Sequence, residues 1–362
     1  MQKHISIISP RYSENFKLLK SMLSSINNQV GYDLNKIELI LIDDCGPEPL
    51  ENIKQEIIDF CDFDVKFLKT EKNVGPGAAR QVGIDNAEGE WIIQVDCDDQ
   101  LLPYAFCAFS MSDYENMDWV QFPGFALGEQ DQKAALAPHN SQLTWIFGIF
   151  VRKSFIRKSK VRYNDFIRSN EEQVFNHGLF ARLDKNKRAQ MGQLPIYLWS
   201  QLSTDTITRI NGGEYARTCI PEFFVGRKLV IDDYCSIGQF NEAMVILAQS
   251  LVHGYYSSHQ TILDGYDDWL ENIENWIGYI YHTYKDKFEE IDKETIKNLV
   301  LEGAKSCDRQ VTETFEDWLE RIECECPEFY LQPYETMNKN TSTGEIEITY
   351  SKVYPSEVNM EI

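Results

Sequence analysis

The chain has 362 residues, 43% of them hydrophobic and 12% aromatic, enough to bury one large or two ordinary cores. Its 57 acidic residues against 35 basic ones give a formal net charge of -22, which argues against a surface that holds polyanions by counterion release. DNA and RNA are therefore disfavoured as resting partners. About -17 of that charge lies after residue 220, so the first part of the chain is only mildly acidic.

No apolar run approaches the roughly 20 residues that span a bilayer, and the N-terminus enters a strand-like run without a signal-peptide core, so a cytoplasmic location is expected. Nine scattered cysteines with no C-x-x-C pair read as reduced, mostly core residues. A zinc site at Cys324 and Cys326 would need two further ligands, and only acidic residues and Pro327 are at hand.

In chain order, Ile5 to Ser9 reads as a buried strand, and apolar residues at helical spacing from Phe16 to Ile26 predict a helix. A second strand, Ile37 to Ile42, ends on Asp43-Asp44, and a helix from about Leu50 to Phe60 follows. Val65 to Leu68 is a third strand, Asn73 to Gly77 a turn and Ala78 to Asn86 a helix. Trp91 to Val95 is a fourth strand and ends on Asp96-Cys97-Asp98-Asp99. Strands and helices alternating at this spacing imply βαβ crossovers and a mainly parallel sheet, with ligand groups at the carboxyl ends of the strands. Both acidic clusters fall there. Further on, Trp145 to Val151 reads as a strand and Glu171 to Leu183 as a helix. Past about Pro221 the pattern changes to long amphipathic stretches, Gln239 to Val252, Trp269 to Tyr284 and Thr295 to Ile322. The fold class is thus α/β for residues 1–220 and a mostly α-helical acidic portion for 221–362. In the tail, Glu345 to Tyr350 alternates as an edge strand or hairpin arm would.

Asp96 and Asp98 lie two apart at a strand end, so they point the same way and can converge on one ion or ribose. Hard carboxylate oxygens suit Mg2+ or Mn2+, and such an ion neutralises a diphosphate leaving group. A D-x-D alone is also what a polar turn looks like; the second acidic strand end, Asp43-Asp44, is what separates the two readings. The segment Asn73-Val74-Gly75-Pro76-Gly77-Ala78-Ala79-Arg80 has no Gly-Lys-Ser/Thr and lacks the third glycine of a dinucleotide fingerprint. Arg80 reads either as a diphosphate or base contact or as a helix-surface salt bridge.

Four ordered segments carry a family resemblance: Ile5 to Tyr12, Glu38 to Asp44, Asn73 to Arg80 and Gly89 to Asp99. Together they resemble the nucleotide-binding half of the family 2 glycosyltransferases of the GT-A fold, a Rossmann-like, mainly parallel sheet flanked by helices. The resemblance implies a nucleoside diphosphate sugar donor, UDP-linked by preference, with Mn2+ or Mg2+. It implies that Tyr12 stacks on the base, that Asp44 hydrogen-bonds it, and that Asp96 and Asp98 serve ribose and metal with Asp99 as a second metal contact. Pro10, Asp43, Gly75 and Arg80 within these segments, and Glu14 just after the first, are expected donor-side contacts as well. The match extends less closely through Phe147 to Ile156, Val161 to Tyr163 and Asn170 to Phe175, where the family has an acidic pair whose second member is the base. Here that member is Glu172 rather than Asp, a carboxylate one methylene longer, with Glu171 as its competitor and a dipole-stabilised helix start as the plain alternative.

Tyr197 to Trp199 and Ser203 to Arg209 resemble the stretch that closes the donor site in relatives, with Ser203 or Arg209 reaching the diphosphate. No third metal ligand is assigned, since His139, His177 and His253 are isolated in the sequence. The implied reaction is inverting transfer to an acceptor hydroxyl of a polysaccharide or other glycan. The alternatives are a phage-type transferase acting on a modified DNA base and a non-catalytic module that binds nucleotide sugar. The basic run Arg152, Lys153, Arg157, Lys158, Lys160 and Arg162, beside the presumed acceptor region, keeps the first alternative open, or is a solvated surface. The C-terminal helices are expected to serve a homo-oligomer or a partner protein.

Overall fold

The computed structural model describes residues 3–12, 14–112, 114–127, 134–137, 143, 145–164, 167–192, 194–200, 212–261, 267–306, 311–326, 333–339 and 346–353. The chain divides into two compact units, one running to Asp205 and the other from Thr206, with a few C-terminal residues assigned to the first.

The first unit opens with β1 (Ile5–Arg11), α1 (Phe16–Asn27), β2 (Ile37–Asp43), α2 (Lys54–Phe60), β3 (Asp64–Lys69), α3 (Pro76–Asn86) and β4 (Trp91–Gln94). It continues with β5 (Gln100–Leu101), α4 (Ala105–Met111), β6 (Trp119–Gln121), β7 (Gly124–Leu127), β8 (Ala134–Ala137) and β9 (Ile149–Arg152). It closes with α5 (Lys153–Ser159), α6 (Glu171–Ala181), β10 (Arg188–Gln190) and β11 (Tyr197–Ser200). Seven strands form one sheet in the order β10-β6-β9-β4-β1-β2-β3, parallel except for β9, which runs antiparallel to both its neighbours. β5, β11, β7 and β8 form a second, smaller sheet.

The central strands read as apolar runs because helices cover both faces of a parallel sheet, and every residue of β2 is buried. Two cores result. Leu19, Met22 and Leu23 of α1 pack with Ile7, Leu39 and Ile93 on one face, while Ala79 and Ile84 of α3 pack with Ile8, Ile40 and Ile92 on the other. β3 is only partly buried, as an edge strand is.

Two expected elements are shorter than the pattern suggested. Trp145 to Val151 yields a strand only from Ile149, since Gly148 takes φ +70° and a Cβ there would stand 2.3 Å from the Phe122 carbonyl oxygen. Leu50 to Asn52 forms a 3-10 turn ahead of α2, its first N–H held by the Asp43 carboxylate.

The second unit holds α7 (Gly212–Ser236), α8 (Phe240–Thr261), α9 (Asp267–Phe288), α10 (Lys293–Ser306), α11 (Phe315–Glu325) and an antiparallel pair, β12 (Pro333–Lys339) and β13 (Ile346–Val353). Residue 220 falls inside α7, so the expected change of character there is not a break between elements. The single stretch expected over Thr295 to Ile322 is two helices, the second capped by Thr314, whose hydroxyl accepts the Asp317 N–H at 3.1 Å. Leu229, Ile231, Leu247, Leu251, Ile277 and Trp318 are buried in this unit.

Seven cysteines are described, all unpaired, and only Cys97 is fully buried, which corrects the expectation of mostly core thiols. No described helix is long and apolar enough to cross a membrane.

One buried carboxylate fixes the entry to β4. Glu38 Oε1 accepts from the Ser6 hydroxyl at 2.5 Å and from the N–H groups of Glu88 and Gly89 at 2.6 and 3.0 Å. Glu38→Ala strands these buried donors and should cost about 2–4 kcal/mol in denaturant unfolding, whereas Glu38→Gln, which keeps an acceptor oxygen, should cost less than half of that.

Candidate active site

Because β1, β2 and β4 are parallel neighbours, their carboxyl ends lie along one edge and bring the two acidic clusters to it. Asp43 and Asp44 there have separate tasks. Asp43 is buried and accepts from the N–H groups of Gly46 and Leu50 at 3.3 and 3.1 Å, with Arg11 at 3.7 Å, so it braces its own turn. Asp44 reaches the next crossover. Its Oδ1 accepts from the Thr70 hydroxyl and the Val74 N–H, both at 2.9 Å, and its Oδ2 accepts from the Gly75 N–H at 2.8 Å. Burial pushes the Asp44 carboxyl above the usual range against the pull of these hydrogen bonds. Tyr12 is half-buried at the end of β1, and its N–H donates to the Glu14 carboxylate at 2.9 Å. Pro10 accepts from the Cys97 thiol through its carbonyl.

Gly75 caps α3 at φ +88°, and the Arg168 side chain crosses directly over it. One turn into α3, the Arg80 side chain is 3% exposed, so it is neither a surface salt bridge nor an open diphosphate contact. Nη1 donates to Glu171 at 2.6 Å, Nη2 donates to Asp96 at 2.7 Å, and Glu172 stands at 3.7 Å. Gly77 makes this approach sterically feasible, since a Cβ there would come within 2.5 Å of the Glu171 Cγ and 2.9 Å of the Tyr163 ring.

The D-x-D turn is held by its inward-facing members. Cys97 lies against Ser9 and Pro10, and Asp99 accepts from the Tyr197 hydroxyl at 2.6 Å and the Ser200 N–H at 2.8 Å. Asp99 is 3% exposed, and burial with Asp96 and Asp98 nearby drives its carboxyl well above the usual range. Both its oxygens are thus turned to β11, unlike the open metal contact expected of it. Asp96, with a side chain 37% exposed, and half-buried Asp98 are the accessible pair.

Glu171 and Glu172 begin α6, where the helix N-terminus favours negative charge. Glu171 is 2% exposed and committed to Arg80, while Glu172 keeps 19% of its side chain exposed. Burial raises the Glu172 carboxyl above its ordinary value, with Arg80 pulling the other way. Arg168 was not singled out in the sequence reading, while Tyr163 and Tyr197 lay in segments named there only for their resemblance. For Arg168 the available signal was a basic residue just ahead of the acidic helix start. The stretch Ser203 to Arg209 lies outside the described residues, as does His139. His177 is buried and His253 exposed, and no group of three metal-capable His, Cys, Asp or Glu occurs among the described residues.

Residues 6–111, which contain both acidic strand ends and the Gly75 turn, match the family described as Glycosyl transferase family 2. This segment is a family 2 glycosyltransferase segment. A protein of Haemophilus influenzae named "Uncharacterized glycosyltransferase" is 41% identical over 95 residues, 26% of this chain and 36% of that protein. Staphylococcus aureus "Poly(ribitol-phosphate) beta-N-acetylglucosaminyltransferase TarS" is 30% identical over 96 residues, 26% of this chain and 16% of that protein. Across the first such relatives the chain spans about a third or less of their length. In fold the likeness is broader. The structure described as S. aureus TarS 1-349 in complex with UDP-GlcNAc has a TM-score of 0.65 at 14% identity, covering 96% of this chain and 97% of that one. The family 2 segment thus ends before Glu171 and Glu172, which only the fold brings to it.

Replacing Arg80 should expose how much depends on it. Arg80→Met leaves two buried or half-buried carboxylates without a cation and should destabilise the fold by about 3–5 kcal/mol. Arg80→Lys, which keeps the charge but not the fork, should recover part of that in the same thermal or denaturant titration.

Proposed function

We propose that the chain is a glycosyltransferase that moves a sugar, with inversion, from a nucleoside diphosphate sugar to an acceptor hydroxyl of a glycan. The observation that carries this reading is the pairing of Glu172, an accessible carboxylate with a raised pKa, with Asp96 and Asp98 at the edge of a family 2 segment. A UDP-linked donor is favoured by the neighbour of like fold described with UDP-GlcNAc bound.

On the donor side, Tyr12 offers its ring to the base, Asp44 its carboxylate, and Gly75 a close approach of backbone. Arg168, above Gly75, is suited to the diphosphate by its planar fork. Asp98 and Asp96 have the donor chemistry for Mg2+ or Mn2+, ions held through one or two carboxylates together with substrate phosphates. Such an ion, when bound, stabilises negative charge on the departing diphosphate. Asp99 holds the turn that presents them, through Tyr197 and Ser200.

On the acceptor side, Glu172 takes the proton from the attacking hydroxyl, and Arg80 keeps enough of it ionised to do so. Glu171 is the positioning partner, since its carboxylate is already bound to Arg80.

Glu172→Gln should lower kcat at least about a hundredfold with donor binding kept, the usual contribution of a general base. Asp98→Asn should weaken donor binding as well. Near-wild-type turnover by purified Glu172→Gln, in a Mn2+-supplemented screen over nucleotide sugars, would show the base to be another group. The base works unprotonated, so activity should rise with pH through an apparent pKa above the ordinary glutamate value of 4.5. Because Arg80 lowers that value, Arg80→Lys, with its charge less closely placed, should move the acid limb to higher pH.

A further inference from the structure

The basic run from Arg152 to Arg162 has no place in the mechanism above. Between Val151 and Asn164 the chain has six Lys or Arg and no acidic residue, against an overall charge of -22. The run is placed along the C-terminal half of α3, away from the Gly75 end. Arg152 is spent on Glu90 and stacks on Trp91. Lys153, Arg157, Lys160 and Arg162 line a cleft of about 270 Å³ between α3 and α5, and Lys158 lies outside it.

The cleft has an apolar floor and a cationic rim. Ile84, Ile156 and Val161 line it and are themselves buried. Asp85, the acid in its wall, is already satisfied, accepting from Gln81 at 3.0 Å and from Arg162 at 3.0 and 2.7 Å. Lys153 donates to the carbonyls of Ala87 and Glu88 at 3.1 and 3.0 Å, neutral acceptors that leave its charge in place. Arg157 and Lys160 are exposed on the rim, and among the described residues no carboxylate pairs with either. Burial, with a smaller contribution from the nearby Arg157, pushes the Lys153 pKa down.

We propose that this cleft binds a small phosphate ester, with the phosphate between Arg157 and Lys160 and the carbon body on Ile84, Ile156 and Val161. Two unpaired cations on a concave rim match one phosphate group. A bare inorganic anion leaves the floor uncovered. A bilayer or a duplex presents a flat or convex array of phosphates that reaches the rim but not the floor. None of these residues belongs to the donor or base machinery, so the proposal stands apart from the transfer reaction.

The test is calorimetric titration of the whole chain with glycerol 3-phosphate while UDP is held at saturation. Wild type should bind, and more weakly as salt rises. Arg157→Glu and Lys160→Asn should each lower the affinity about tenfold or more, the loss expected for one charge-assisted contact. Asn suits the left-handed backbone of Lys160, where φ is 60°. Lys158→Glu changes the same charge on α5 outside the cleft and should leave binding intact. Equal loss in Lys158→Glu, no loss in the other two variants, displacement of glycerol 3-phosphate by UDP, or capture by phosphatidylglycerol vesicles without binding of the soluble ester would each overturn the proposal. Should UDP itself fail to bind wild type, the donor reading falls, while the three variants still decide this one.

Discussion

A single buried cation organises the site. Arg80 draws together α3, the end of β4 and the start of α6, pieces of chain as far as 91 residues apart, through contacts to Asp96 and Glu171. A guanidinium taken out of water is costly unless it is paired, and so are the carboxylates around it. Their mutual need makes the arrangement cooperative, since withdrawing any one member leaves another uncompensated. Gly77 is part of the same constraint. It is the absence of a side chain one turn earlier on α3 that allows Glu171 and Tyr163 to close over the helix.

The acidic segment after β4 is a tight turn, closed by the Asp99 N–H on the Asp96 carbonyl at 3.1 Å. Cys97 and Asp99 point inward and are fastened, one to Ser9 and Pro10, the other to Tyr197 and Ser200. Asp96 and Asp98 are the alternate residues and are left at the opening. The small sheet thereby has a direct bearing on the site, because β11 supplies the groups that hold Asp99.

What was legible in the sequence was what depends on local pattern. β1, β2 and β4 announced themselves as apolar runs because both faces of a central parallel strand are covered. The acids at their ends were visible for the same reason. Roles that depend on distant partners were not. Arg80 in a G-x-G-x-x-R segment looks like a phosphate contact until Glu171 is seen beside it. Nothing adjacent to Asp99 reveals Tyr197, 98 residues on. The strand expected from Trp145 was cut short by the backbone at Gly148, where apolar content says nothing about φ. The basic run lay in plain sight, but its position along α3 rather than beside the acids is a property of the crossover through α5.

The choice between Glu171 and Glu172 follows from charge. They are consecutive on α6, about 100° apart around the axis, so they cannot occupy the same surroundings. Glu171 faces α3 and meets Arg80 at 2.6 Å in a fully buried pair. Arg80 also serves Asp96, so one positive charge stands among three acids. The deficit falls on the acid bound least tightly. That acid is Glu172, 3.7 Å from the cation and partly open, whose carboxyl is raised by burial and by Asp96. Glu172 is also the less buried of the two, its side chain 19% exposed against 2% for Glu171.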